Sequence, residues 1–264
     1  MAGLLGGCNL ASQGVLPPPP PQVVAPMLTQ QAPSVGGVPL LSDQWQAAAS
    51  GMWVRQLLPG GDILKTLVAV RLDATQYAFK AHYRPGQPLT LSEWQTLLPD
   101  AALIINANFF HPDNTVVGMV ITDEGAFGQT FVNRGGMFSV QNGLPVLQSL
   151  INAPYDGRWL DYAVQGFPSL IVNSAASGLT PNDNRASRRT LIAIDAQGNI
   201  VIIATPIYGP GLYDLSQYLA ASDLQLTYAV NLDGGSSTMM LIAPINYQIS
   251  SLTPVPTVLA VYKR

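Results

Sequence analysis

Charge is scarce in this chain. Asp, Glu, Lys and Arg make up 10% of 264 residues, against roughly a quarter in ordinary soluble domains. Only 2 Glu and 3 Lys occur. These residues commonly fill solvent-facing helix positions, so their scarcity beside many Val, Ile, Thr and Tyr argues for a strand-rich fold with few helices. Lys and Arg number 12 against 15 Asp and Glu, and they form no basic stripe. That argues against nucleic-acid binding, which depends on clustered cations that neutralise phosphates. No apolar run reaches the roughly eighteen residues of a transmembrane helix. The one cysteine, Cys8, has no partner for an internal disulfide and belongs to no metal-ligand spacing. Hydrophobic residues, by contrast, reach 48%, enough to pack a substantial core.

The chain divides by composition. Leu5-Gly6-Gly7-Cys8 is similar to a bacterial lipobox, although little basic or apolar sequence precedes it. Pro17 to Pro21 is an unbroken proline run, and the Pro-, Gln- and Gly-rich character continues to Pro39. Residues 1–40 therefore read as an anchor-like start with a semi-rigid tether, and residues 41–264 as one folded domain. Within that domain, 65–72 and 76–83 read as strands of a hairpin turning at Asp73-Ala74-Thr75. Thr90 or Ser92 can cap a short helix that ends before Pro99. Further strands are expected at 101–110, 116–122, 136–141, 162–173, 190–195, 200–205 and 226–232, with a second helix over 213–221. The expected class is α+β, a mixed, strand-rich sheet core with few short helices.

The richest segment chemically is LTYAVNLDGGSSTMMLI, residues 226–242. A strand entering the core ends on one carboxylate, Asp233, which must be hydrogen-bonded, paired or metal-bound to stay charged there. Gly234 and Gly235 allow close backbone approach, and Ser236, Ser237 and Thr238 add hydroxyls that suit an anion or sugar oxygens. A plain Asp-Gly-Gly-Ser turn between two strands would look much the same.

Four segments, taken in order, resemble the phosphodiester glycosidase (NAGPA-like) family: INANFF at 105–110, VQGFPSLIVN at 164–173, SRRTLIAID at 187–195 and VNLDGGSST at 230–238. Ala107 and Asn108 stand where the family pattern has two glycines, and Ser236 replaces a third. The resemblance spans about residues 43–264. It implies a hydrolase acting on a sugar phosphodiester or related glycosidic linkage, in envelope or matrix polysaccharide outside the cytoplasm. The alternative is a non-catalytic carbohydrate-binding or matrix domain on the same fold.

Cleavage at an anomeric carbon passes through an oxocarbenium-like state. It needs a carboxylate near the developing positive charge and donors around the departing phosphate. Asp233 is the catalytic carboxylate expected from this chemistry, and Arg189 the planar fork for phosphate. Arg188 and Arg189 should point to opposite faces of their strand, leaving at most one in the site and the other solvated. Asn106 completes the expected catalytic set. Asn106 and Asn108 could bind sugar hydroxyls or hold Asp233. Phe110, His111, Gln165, Gly234, Gly235, Ser236 and Ser237 are the expected substrate contacts, with His111 equally readable as a loop residue. Asp123 and Glu124 could supply a second carboxylate or form a plain turn. Trp45, Trp53, Trp94 and Trp159 include candidates for a sugar-stacking platform, most of them better read as packing. One clear carboxylate is too few to predict a divalent metal, and no cofactor is expected. The expected partners are a carbohydrate or sugar phosphate and, through a lipidated Cys8, a membrane surface.

Overall fold

The computed structural model describes Ser34–Val35, Val38–Pro39 and residues 41–264, so Cys8 and the proline run lie outside the described residues. Three sheets carry the domain. The largest has eight strands, in the spatial order Ala175–Ala176, Ser169–Val172, Leu226–Asn231, Thr190–Asp195, Ile200–Ala204, Leu67–Leu72, Met52–Leu57 and Gln46–Ala49. A five-stranded sheet runs Tyr247–Ile249, Met240–Ile242, Leu103–Asn106, Thr257–Lys263 and Tyr77–Tyr83. A second five-stranded sheet runs Leu144–Ser149, Gly136–Gln141, Tyr162–Gly166, Val120–Thr122 and Gly125–Phe127.

Period-two alternation decides which side chains face which layer. Val68, Val70, Ile192, Ile200 and Ile202 of the large sheet pack against Phe79, Leu103 and Leu259 of one smaller sheet and Phe138, Val140 and Val164 of the other. The intervening residues Ala69, Leu191, Ala193, Val201 and Ile203 face the other way, where helix Leu212–Ala221 covers them with Leu215 and Leu219. Helix Leu91–Leu97 covers the far face of the Thr257–Lys263 sheet with Leu91 and Trp94, packed on Ile104, Leu241, Val258 and Ala260. Each fully buried Ile or Leu contributes roughly 1.5–3 kcal/mol, and the two faces together make the large sheet the centre of the fold.

The α+β, strand-rich class holds, with one refinement. Every strand pairing among the described residues is antiparallel, where a mixed sheet was expected. Parallel pairs need long crossovers, usually helical, and the described chain has only two α-helices. The expected 65–83 hairpin also does not form. Leu67–Leu72 pairs with Met52–Leu57 and Ile200–Ala204, whereas Tyr77–Tyr83 pairs with Thr257–Lys263. Asp73 instead turns a corner between sheets, accepting from Thr75 N at 2.9 Å and Thr75 Oγ1 at 2.7 Å. The expected strand over 162–173 is two strands broken at Phe167-Pro168, which belong to different sheets. The Thr90 cap is as read from sequence, with Glu93 Oε2 accepting from Thr90 N at 2.8 Å. Between the strands Thr190–Asp195 and Ile200–Ala204, Asp195 Oδ1 accepts from Gln197 N and Asn199 N at 3.0 and 2.9 Å.

Candidate active site

The segment that follows Leu226–Asn231 leaves the large sheet and enters the adjacent one at Met240–Ile242. These two strands do not pair with each other, so Asp233-Gly234-Gly235 is a crossing between sheets and not a hairpin turn. Backbone bonds hold it on both sides. Leu232 N donates to Thr190 O at 2.9 Å, Asp233 N to Ala107 O at 3.0 Å, and Gly235 N to Arg188 O at 2.9 Å. Both glycines are required by this path. Gly235 has φ of +61°, in the left-handed region. A Cβ on Gly234 would lie 2.6 Å from Arg188 O.

Asn106 fastens the crossing from beneath. It is 1% exposed. Its Nδ2 donates to Asp233 O at 2.6 Å, and its Oδ1 accepts from Thr190 Oγ1 at 2.7 Å and Met239 N at 3.0 Å. Its acceptor thus already has two donors, and its amide N–H2 grips the carbonyl of Asp233. The Asp233 side chain is placed but not neutralised. Burial raises its pKa to about 6, and hydrogen bonding from the Ser237 hydroxyl and Gly234 N–H offsets only part of that. Gly234 N donates to Asp233 Oδ1 at 2.8 Å.

A cavity of about 440 Å³ opens over this carboxylate, lined also by Phe109, Arg185, Arg189, Asn231 and Asp183. Arg189 lines it and Arg188 does not. The guanidinium is held only by carbonyls, with Nε donating to Pro210 O at 3.3 Å and Nη2 to Arg185 O at 2.5 Å. Burial, and then the charge of Arg185, lower its pKa, yet a guanidinium stays protonated. The ion pairs among the described residues include neither Arg185 nor Arg189. Two cations thus face one cavity without a carboxylate on either. Asp183 is engaged through one oxygen: Thr180 N and Oγ1 donate to its Oδ2 at 2.9 and 3.0 Å, and these bonds lower its pKa. Asn231 presents a buried Oδ1 with no hydrogen-bond partner, while its Nδ2 donates to Phe167 O at 3.0 Å.

The structure thus brings Asp233, Arg189, Gly234 and Gly235 together around one cavity, with Ser237 buried against Asp233. Several expected contacts lie elsewhere. Asn106 acts through Asp233 and is better described as positioning it. Asn108 is buried and donates to Met119 O at 3.0 Å. Gln165 is fully buried, accepting from Met119 N and Phe131 N, each at 3.0 Å, and donating to Thr130 Oγ1 at 2.8 Å. It clips loops together from the interior and does not border the Asp233 cavity. Phe110 packs on the core under helix Leu91–Leu97, and Phe109 lines the cavity in its place, 4.6 Å from the Phe167 ring centroid. His111 is exposed and borders a different cavity of about 660 Å³. Ser236 is exposed and offers its carbonyl to Leu252 N at 2.7 Å.

Arg188 is buried and not solvated as expected, donating to Thr238 O at 2.8 Å and Ser250 O at 2.9 Å. Asp123 and Glu124 do not border the Asp233 cavity. Sequence reasoning missed Asp183, Arg185 and Asn231. The charged cluster Asp183-Asn184-Arg185, set in a Pro- and Ser-rich stretch of a charge-poor chain, was the available signal.

Comparison with known proteins agrees with this architecture. Residues 99–262 match the phosphodiester glycosidase family, which is more than half of the chain. The chain belongs to that family. No curated protein matches it in sequence. Among solved structures, the zebrafish N-acetylglucosamine-1-phosphodiester alpha-N-acetylglucosaminidase catalytic domain, auto-inhibited by its pro-peptide, superposes with a TM-score of 0.59 at 15% identity, covering 89% of this chain and 87% of that one. A Synechocystis protein gives 0.58 at 14% identity and covers 82% of this chain; the match spans 63% of that protein's length. A Burkholderia pseudomallei protein gives 0.51 at 11% identity, over 75% and 74% of the two chains. At these identities the likeness is one of fold.

Proposed function

We propose that this protein hydrolyses a sugar phosphodiester at the anomeric carbon. The observation that carries the reading is the cavity itself, where two guanidiniums free of carboxylate partners face the same space as an under-solvated Asp233. In this reading Arg189 and Arg185 hold the phosphate, and the ionised Asp233 stabilises positive charge as the bond from the anomeric carbon to the phosphate oxygen breaks. The electron pair leaves with the phosphate monoester. A water oxygen ends on the anomeric carbon, and its proton goes to solvent. Because the leaving group is already a stable anion, holding it matters more than protonating it. Asn231 lines the same cavity, and its Oδ1 has no hydrogen-bond partner among the described residues.

The second reading is a carbohydrate-binding domain without turnover. It draws on the engagement of Asp183, the other carboxylate at the cavity, by Thr180. Release of free sugar from a panel of sugar-1-phosphodiesters separates the two. Turnover should be lost in Asp233→Asn and fall about a hundredfold in kcat/KM in Arg189→Lys, which keeps charge but loses the fork. Glycan binding with no turnover by the unmodified protein would favour the second reading.

We also place the protein outside the cytoplasm, on envelope or matrix polysaccharide. Leu5-Gly6-Gly7-Cys8 and the proline-rich stretch after it support a lipid-anchored, tethered domain. Metabolic labelling with a clickable fatty acid should mark the protein and not its Cys8→Ala variant; an unlabelled protein would remove the anchor.

A further inference from the structure

A separate cavity of about 520 Å³ shares no lining residue with the one over Asp233. Its rim is the loop around Trp159, a residue 78% exposed. An indole so exposed in a chain with this little surface charge is unusual, and its backbone is not loose. Gln141 Nε2 donates to Trp159 O at 3.1 Å, Tyr155 OH to Arg158 O at 2.5 Å, and Asp161 N to Val140 O at 2.8 Å. Arg158 closes the loop on Asp156 with bonds of 2.8 and 2.9 Å. The ring is therefore presented from a fixed frame, so little ordering entropy opposes a ligand that stacks on it.

The remaining walls combine aliphatic residues such as Ile121, Val140 and Leu160 with aromatic and polar ones. Tyr155 and Tyr162 line the cavity, and Lys80 Nζ sits 5.6 Å from the Tyr162 ring centroid. Asp123 accepts from the Tyr162 hydroxyl through one oxygen, and Asp161 Oδ2 accepts from Gly143 N at 2.8 Å. The second oxygen of each carboxylate is left for another donor. Arg264 donates Nε to Tyr77 O at 3.0 Å and reaches Gly143 O with Nη2, keeping Nη1 for an acceptor. Arg158 and Asp156 neutralise each other, and Lys80 and Arg264 balance Asp123 and Asp161. A pocket with no net charge, flat aromatic faces and mixed donors and acceptors suits a flat, uncharged, hydroxyl-rich ligand. A pyranose fits this chemistry: one face is apolar C–H, and its edge carries vicinal hydroxyls.

We propose that this cavity is a second carbohydrate-binding site. It takes a neutral oligosaccharide with Trp159 as stacking platform and Asp123 and Asp161 as hydroxyl acceptors. The site is distinct from the cavity over Asp233 and does not depend on the chemistry proposed there.

Calorimetric titration of the full chain with cello-, xylo-, malto- and chitohexaose tests it. At least one hexasaccharide should bind saturably. Its Kd should rise about tenfold or more in Trp159→Ala, return most of the way in Trp159→Phe, and stay unchanged in Asp233→Asn. Absence of saturable binding by all four sugars would overturn the proposal. Affinity unmoved by Trp159→Ala would overturn it, as would binding abolished by Asp233→Asn, which would put the sugar in the other cavity.

Discussion

Replacing Asp233 by Asn should stabilise the folded domain at neutral pH. In the native state burial holds the carboxyl pKa at about 6, against an ordinary value of 3.8. Between those two pH values the unfolded chain has released the proton and the native chain has not, so stability falls as pH rises through that window and the cost is constant above it. At about 1.4 kcal/mol per unit, ionising Asp233 costs the native state about 3 kcal/mol at pH 7.5 and about 1 kcal/mol at pH 4.5. Asn can still accept from Gly234 N through Oδ1 but loses one bond with Ser237 that the neutral carboxyl also makes, worth about 1 kcal/mol at either pH. The net gain is then about 2 kcal/mol at pH 7.5 and about zero at pH 4.5. For a domain of this size that corresponds to a Tm higher by about 4–8 °C at the upper pH and nearly unchanged at the lower. Scanning calorimetry of both proteins at the two pH values measures it. An equal shift at both, or a lower Tm for the variant at pH 7.5, would refute the view that Asp233 is a desolvated carboxylate kept for function at the expense of stability.

Two further outcomes follow from the same geometry. If the ionised carboxylate does the work, kcat/KM should rise about tenfold per pH unit up to about 6 and level off above it; a profile that falls above that pH would make Asp233 a general acid. Asn106→Ala strands the Thr190 hydroxyl, Met239 N–H and Asp233 carbonyl in the interior. It should destabilise the protein by about 3 kcal/mol in urea melts, and a loss below about 1 kcal/mol would mean that water or a neighbour replaces the amide.

Much of the fold was legible because alternation and local turn chemistry act over a few residues. The strands over 190–195 and 200–205 and the cap at Thr90 read correctly from sequence. The corner at Asp73 did not, since a short polar link looks alike whether the next strand pairs with the last or joins another sheet. Phe109 displaced Phe110 for a related reason: the strand ends at Asn106, and period two stops with it.

The site was harder to read because a polar residue in an apolar segment announces that it has a partner without saying whether that partner is backbone or ligand. Arg188 finds carbonyls at Thr205, Thr238 and Ser250, far apart in sequence, and Gln165 finds donors at Met119 and Phe131. Only the fold brings such partners together. The feature that separates a structural amide from a functional group is the bonding capacity left over. Asn106 and Gln165 have each spent both acceptor sites of the amide oxygen on the protein. Asp233 keeps a carboxylate that burial leaves under-solvated, Asn231 a buried Oδ1 without a donor, and Arg189 a guanidinium without an acid. Bonding capacity left unused in a buried or half-buried group costs stability, so the buried Asn231 and the half-buried Asp233 and Arg189 around one cavity are best explained by a ligand that completes them.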